Sequence, residues 1–328
     1  MRVLVTGPDG LLGSNLVRRL LEKDYEVRAL VFPGSRSRTL DGLKIEKVDG
    51  NITDSDSIRR AVAGCEGVFH VAASTAMWPP RDPKITAINV NGTRNVMEAA
   101  EAAGVRRVVH CGSASSFGYG TKENPGTEKA PFRYAGLGLA YFDSKLAAQE
   151  LVLDMVRSGR IEAVVVNPTF MFGPHDSGPS SGEVIIQYVK MNIPAYSPGG
   201  RNFAHARDVA DGLISAFEKG APGECYILGN RNMNMKELLG LVAEIAGIRK
   251  PVVEIPALVI RLAGKAGSAL GEALKKKPGI SYEVAVLSCI GCYYSPAKAV
   301  RELDLPQTPV ETAVEDEYRW LRDNGYMK

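Results

Sequence analysis

Arg2-Val3-Leu4-Val5-Thr6-Gly7-Pro8-Asp9-Gly10-Leu11-Leu12-Gly13 runs from a β-branched segment through three evenly spaced glycines into an amphipathic stretch. Gly7 can make the tight turn that ends a strand. Gly10 lets a pyrophosphate approach the backbone, and Gly13 permits close packing of helix on strand. A helix start here offers N–H groups without intrahelical partners, those of Leu11 and Leu12 among them, and positive potential for phosphate oxygens. Glycines at this spacing also occur in purely structural turns; the setting in a first strand–turn–helix unit favours a nucleotide site.

The pattern then repeats. Val3–Thr6, Glu26–Val31, Ile45–Val48, Gly67–Val71, Arg107–Cys111 and Glu162–Val166 are short runs nearly continuous in Val and Ile, as in parallel strands covered on both faces. Leu11–Lys23, Ser55–Ala63, Ile85–Ala103 and Tyr141–Ser158 place apolar residues at helical spacing between them. This alternation predicts an α/β chain built from βαβ units, a doubly wound parallel sheet with ligands at the carboxyl ends of its strands. Beyond residue 168, Pro and Gly cluster in loops. His205–Lys219 predicts another helix, and Glu224–Leu228 a strand returning to the sheet. From Met235 onward the pattern reads as a smaller, mainly helical region.

Of 328 residues, 45% are hydrophobic and 23% charged, which excludes wholesale disorder. The net charge of +3, from 40 basic and 37 acidic residues, gives no reason to expect nucleic acid as a partner. Lys275-Lys276-Lys277 stands before Pro278-Gly279 and suits the dipole of an ending helix. No apolar run reaches the roughly 18 residues of a membrane span, and the first residues read as a strand rather than a signal peptide. A cytoplasmic protein without a membrane partner is expected. Five cysteines are an odd number for a disulfide framework, and Cys289-Ile-Gly-Cys292 lacks a second pair to complete a zinc site. Buried thiols are the expectation, and no metal.

At the end of the second strand, Val31-Phe32-Pro33-Gly34-Ser35-Arg36-Ser37-Arg38 carries no acid; none lies between Glu26 and Asp41. NAD sites ordinarily place one there for the ribose hydroxyls, whereas guanidinium and hydroxyl groups suit a 2′-phosphate. NADP is therefore expected over NAD, with Arg36 as its contact. The alternative is that Arg36 and Arg38 are solvated and NAD binds without its usual partner.

Tyr141-Phe142-Asp143-Ser144-Lys145 sets a phenol and an ammonium on one helix face. A nearby cation lowers a phenol's pKa toward the working range, so Tyr141 can exchange a proton with a carbinol or carbonyl oxygen while Lys145 tunes it. Upstream, Arg107–Cys111 ends in Gly112-Ser113-Ala114-Ser115-Ser116, whose hydroxyls can hold a substrate oxygen as charge develops on it.

The glycine turn, Ser113 and Tyr141…Lys145 together resemble the extended short-chain dehydrogenase/reductase family, the NAD-dependent epimerase/dehydratase superfamily. The chain looks most like its dihydroflavonol reductase branch. Val68–Ala73, Asn89-Val90-Asn91-Gly92-Thr93, Asn167–Pro174 and His205–Asp211 support the likeness. The resemblance implies a Rossmann-type domain of residues 1–167 plus about 203–229, and a substrate domain of about 168–202 plus 230–328. It implies Ser113, Tyr141 and Lys145 as the catalytic set, with Ser115 toward substrate. Ala72 and Ala73 would line the cofactor, Asn91 would support the site, and Pro168 and Phe170 would approach the nicotinamide. The family's acidic residue after the third strand is Asn51-Ile52 here, and the amide oxygen is expected to take over the hydrogen bond from adenine. Phe32 stands in place of a usual Arg.

The expected activity is hydride transfer to a ketone or aldehyde, with Trp78, Ser115, Phe117 and Met171 as candidate substrate contacts. Aromatic and Met side chains also fill domain interfaces. A nucleotide-sugar epimerase with tightly held NAD is the alternative, and a non-catalytic NADP-binding scaffold a second. A sugar 4,6-dehydratase is disfavoured because no carboxylate follows Ser113. A homodimer through the two long helices would be family-like.

Overall fold

The computed structural model describes residues 1–327. Strands β1 (Arg2–Thr6), β2 (Glu26–Val31), β3 (Glu46–Asp49), β4 (Gly67–His70), β5 (Arg107–Cys111) and β6 (Ala163–Pro168) alternate with helices. These are α1 (Leu11–Glu22), α2 (Ser55–Val62), α3 (Pro83–Thr86), α4 (Gly92–Ala102) and α5 (Ala140–Arg157), with a π turn at Ala87–Asn91 joining α3 to α4. The chain continues through β7 (Phe170–Phe172), α6 (Gly182–Met191), β8 (Ala195–Tyr196), β9 (Gly200–His205), α7 (Ala206–Lys219) and β10 (Cys225–Leu228). It ends in β11 (Arg231–Asn234), α8 (Met235–Ala246), β12 (Val253–Glu254), α9 (Ala257–Leu274), α10 (Tyr282–Ser288), β13 (Gly291–Cys292), α11 (Ala297–Leu303) and α12 (Val310–Asp323).

Seven strands form one parallel sheet in the order β10-β6-β5-β4-β1-β2-β3. Alternate residues of each strand feed opposite layers. Val3, Val5, Phe69 and Val109 pack with residues of α1 and α7, while Leu4, Val68 and Val108 pack with α2, α4 and α5. Both faces are covered, which is why the strands lack polar alternation. Each fully buried Val or Leu contributes about 1.5–3 kcal/mol. Chain order reverses between β1 and β4, and such a reversal opens a crevice beyond the strands' carboxyl ends. The expected strand from Glu224 does return, as β10 on β6.

The C-terminal part is mixed rather than mainly helical. β9 pairs with β11, β13 and β7, and β8 pairs with β12. These strands have two to six residues and sit among Pro and Gly, too short for a period to show. Phe172 and Phe203 pack there with α6, α8 and α12. The long helix expected over Ile85–Ala103 is α3, a π turn and α4. Among the described residues no helix is long and apolar enough to cross a membrane, and no cluster of ligands could hold a metal. Cys292 is buried and Cys289 half-buried, both as free thiols.

Candidate active site

The glycine turn is built by close backbone contact. Gly7 sits at φ +65°, and a Cβ there would lie 2.8 Å from the backbone N and Cα of Ala72. A Cβ on Gly13 would overlap the Gly7 carbonyl and come within 2.9 Å of Pro8 Cα. Gly10 is different: its nearest neighbour would be 3.9 Å away, and it caps α1 without any side-chain hydrogen bond. Space and unpaired N–H groups at a helix start are what a dinucleotide's pyrophosphate requires, so the residues fit that group. Leu11 and Leu12 bury their side chains and contribute backbone only. Ala72 and Ala73 are half-buried after β4, and Ala72 N donates to Thr6 Oγ1 at 3.1 Å.

At the tip of β2 stands an acid that does not belong to the second strand. Asp9 Oδ2 accepts from Ser35 Oγ at 2.7 Å and Ser37 Oγ at 2.8 Å. A carboxylate therefore does stand beside the tip of β2, supplied by the glycine turn. Arg36 is exposed and forms no ion pair among the described residues. Asn51 Oδ1 accepts from Thr53 N at 3.0 Å, turning the chain toward α2, and keeps one lone pair. Ile52 is buried in the sheet–helix layer against Gly92.

Beyond β5, Ser113 and Ser115 hydroxyls lie 2.7 Å apart, and the Tyr141 phenol is near enough to Ser113 to feel its hydroxyl. Two hydroxyls thus meet at one strand end with the phenol beside them. Burial pushes the Tyr141 phenol above its usual 10, offset in part by Ser113. Lys145 is 4% exposed, and burial holds its amine below the ordinary 10.5. Its Nζ donates to the Cys111 carbonyl at 2.6 Å. Desolvation, opposed by Ser113, sets the direction at Tyr141, against the lowering expected from Lys145, and the Lys145 amine is aimed at a backbone carbonyl.

Asn91, expected to support the site, is exposed at the end of the π turn. Asn89, 2% exposed, is the inward member of the pair, accepting from Ser74 N at 2.7 Å and donating to Ser144 Oγ at 3.0 Å. A π turn takes more residues per revolution than an α-helix, so a helical reading of this stretch picks the wrong member of the pair. Asn167 donates to Ser113 O at 3.0 Å and to Gln149 Oε1 at 2.7 Å, tying β6 to the serine loop and α5.

The remaining candidates divide. Pro168 ends β6, buried, and Phe170 leaves the sheet to pack its ring on Phe172 and Phe203, 5.4 and 5.6 Å away. Phe117 is only 7% exposed and belongs to the apolar cluster of Tyr134, Phe142 and Leu287, so it is a core side chain rather than an open contact. Met171 packs against the layer of α1 and α7. Trp78 is half-buried and lies against α9, its Cζ2 3.1 Å from where a Gly271 Cβ would stand.

A seven-stranded parallel sheet, a phosphate-ready glycine turn at its switch point, and Ser–Tyr–Lys beside it define a nucleotide-dependent enzyme of the short-chain dehydrogenase type. Residues 3–229 match the NAD dependent epimerase/dehydratase family, and the chain belongs to it. The protein is accordingly an NAD(P)-dependent enzyme of the extended short-chain type, in a family that acts on small molecules. It is 34% identical to the Synechocystis sp. "Putative dihydroflavonol 4-reductase", covering 99% of this chain and 95% of that one. It is 31% identical to the "4-hydroxy-2-methyl-3-oxo-4-farnesyl-3,4-dihydroquinoline-1-oxide ketoreductase" of Stigmatella aurantiaca, over 84% of this chain and 82% of that one. The crystal structure of gox2253 superposes with a TM-score of 0.87 at 34% identity, covering 99% of both chains.

Proposed function

We propose that the protein is a carbonyl reductase that uses a dissociable NAD(P) and acts on an apolar or aromatic ketone or aldehyde. The observation that carries this reading is the pair of Ser113 and Ser115 hydroxyls 2.7 Å apart at the end of β5, with the Tyr141 phenol beside Ser113 and buried Lys145 one helical turn from Tyr141. In this reading residues 1–167 with about 203–229 hold the nucleotide, and about 168–202 with 230–328 hold substrate.

When bound, the nicotinamide supplies the hydride that reduces the carbonyl carbon. The protein's own work is on the oxygen. Ser113 and Ser115 donate to it and hold it in line with Tyr141, and their dipoles favour the charge that develops there. Tyr141 gives its proton to that oxygen, completing the alcohol, and recovers one from solvent. A phenol pushed upward by burial is a weak acid, so the transfer depends on the Lys145 charge stabilising the phenolate as it forms. Asn89 and Ser144 hold the Lys145 turn of α5 against the segment after β4. Met77 and Trp78 form the apolar wall, in keeping with a relative named for a ketone that bears a farnesyl chain.

The test begins with the purified protein: denature it, identify any released nucleotide, then titrate with NADPH and NADH and screen apolar ketones. Tyr141→Phe is expected to keep nucleotide affinity and lose about 10²–10⁴ in turnover, the scale of one acid–base group. Stoichiometric NAD surviving purification, or full activity in Tyr141→Phe, overturns the reading.

A further inference from the structure

Helix α9 carries two apolar faces, and the fold uses one. Its inward contacts are made by Ile260 and by small residues. A Cβ on Gly264 would lie 2.5 Å from Ala285 Cβ, one on Gly267 would meet the Ile280 carbonyl, and one on Gly271 would come 3.1 Å from Trp78. The helix backbone is thus seated directly on α10 and the wall of the site. Of its large side chains only Ile260 joins that seating: Leu258 is 68% exposed, Leu262 57%, Leu270 60% and Leu274 58%.

At about 100° per residue, Ile260, Gly264 and Gly271 fall in one sector. Leu258, Val259, Leu262, Leu270 and Leu274 fill a second, roughly 160° wide, and the charges of Arg261, Lys265 and Glu272 mark the border between them. The helix ends at Leu274 and is followed at once by Lys275, Lys276 and Lys277, all exposed. From Ala257 to Lys277 the cations are Arg261, Lys265 and the three terminal lysines, against Glu272 alone. Just before the helix, Val252 is held to the Pro194 carbonyl, leaving Met191, Ile193, Val252 and Val253 exposed at the neighbouring edge.

A broad exposed apolar face bordered by cations is the pattern of a helix lying in the plane of a membrane interface. The strong excess of cations selects an anionic bilayer over a second copy of the same cationic face. We propose that α9 seats the protein on an anionic lipid surface, leucines in the acyl boundary and Lys275–Lys277 among the headgroups. No span is involved, since no described helix can cross a bilayer. Because Gly271 lies against Trp78, the same helix that meets lipid forms the outer wall of the site. On the carbonyl-reductase reading above, an amphiphilic ketone would then enter from the bilayer.

The test is flotation of the full chain with vesicles of phosphatidylcholine containing roughly one-third phosphatidylglycerol, against pure phosphatidylcholine, at low and high salt. The protein is expected to float with the anionic vesicles and to be released by salt. Leu262→Gln with Leu270→Gln, and separately Lys275→Gln, Lys276→Gln and Lys277→Gln together, are each expected to weaken binding by roughly tenfold or more. All these positions are exposed, so unfolding is not expected, and circular dichroism with nucleotide titration checks it. A protein that stays in the aqueous fraction, or floats equally with both vesicles and in all variants, overturns the proposal. So does a dimer that the leucine pair dissociates without any vesicle binding. Flotation needs no turnover, so its result and the reductase screen fail independently.

Discussion

Replacing Glu317 by Gln gives a direct reading of a buried proton. Glu317 on α12 is fully buried; its Oε2 accepts from Gly173 N at 2.9 Å, while Oε1 has no partner. Across Gly182 stands Asp176, whose Oδ2 accepts from Ser180 N and Gly182 N at 2.9 and 3.1 Å. Burial, then the Asp176 charge, push the Glu317 carboxyl up to about 8 from an ordinary 4.5. The folded protein therefore keeps the proton up to about pH 8, whereas the unfolded chain releases it near 4.5. Between these values the native state binds more protons, so this site lowers stability as pH rises. At about 1.4 kcal/mol per pH unit the loss amounts to about 5 kcal/mol across the window. Gln keeps the acceptor for Gly173 N and presents an N–H toward Asp176, without a proton to lose. Urea unfolding at pH 5, 6, 7 and 8 should find Glu317→Gln close to wild type at the acid end. Its advantage should grow steadily toward pH 8. Parallel stability curves for the two proteins would refute the assignment of the proton to Glu317.

Three further predictions concern the glycine turn. Asp9→Asn removes the carboxylate held by Ser35 and Ser37 and should tighten NADPH about fivefold, the size of one screened surface charge pair, with NADH unchanged; equal effects in fluorescence titrations would sink it. Gly13→Ala drives a methyl into the Gly7 carbonyl and should cost about 1–3 kcal/mol or more in thermal unfolding. Gly10→Ala has open space but gives up a favourable N-cap, partly offset by a stiffer unfolded chain, so its folded stability should fall by no more than about 1 kcal/mol while nucleotide affinity falls roughly tenfold. A Gly10→Ala protein that binds normally would move the pyrophosphate elsewhere.

The central sheet was legible because burial on both faces writes itself as unbroken Val, Ile and Leu, and each crossover helix carries its own period. Glu26–Val31 and Arg107–Cys111 have the same limits in sequence and structure. The hydroxyl–lysine constellation was legible as residue types at strand and helix ends, though not the direction of Lys145, which is set by the Cys111 carbonyl across the sheet edge. Asn89 was missed because only coordinates show that the helix between Ala87 and Asn91 widens. Asp9 is not legible from the second strand, because its carboxylate reaches Ser35 through space from the glycine turn. A capped turn with an acid at its tip, next to a Ser-rich loop, was the available signal. The small sheet was illegible because its strands are too short to show alternation.

The passage of the chain between the two sheets has a mechanical consequence. β6 runs on through Thr169, whose N–H is bonded to Leu228 O and whose hydroxyl donates to Asn202, straight into β7. β9 leads without a loop into α7, which packs on the central sheet, and β10 is followed within three residues by β11. Three continuous segments thus stitch the halves together where a linker might have been. A fragment ending at residue 229 would leave β9 without β11 and β13 and strip α12 from Phe172 and Phe203. The chain should accordingly melt in one transition, and access to the cleft must come from bending of loops and helices at its rim rather than from the halves swinging apart.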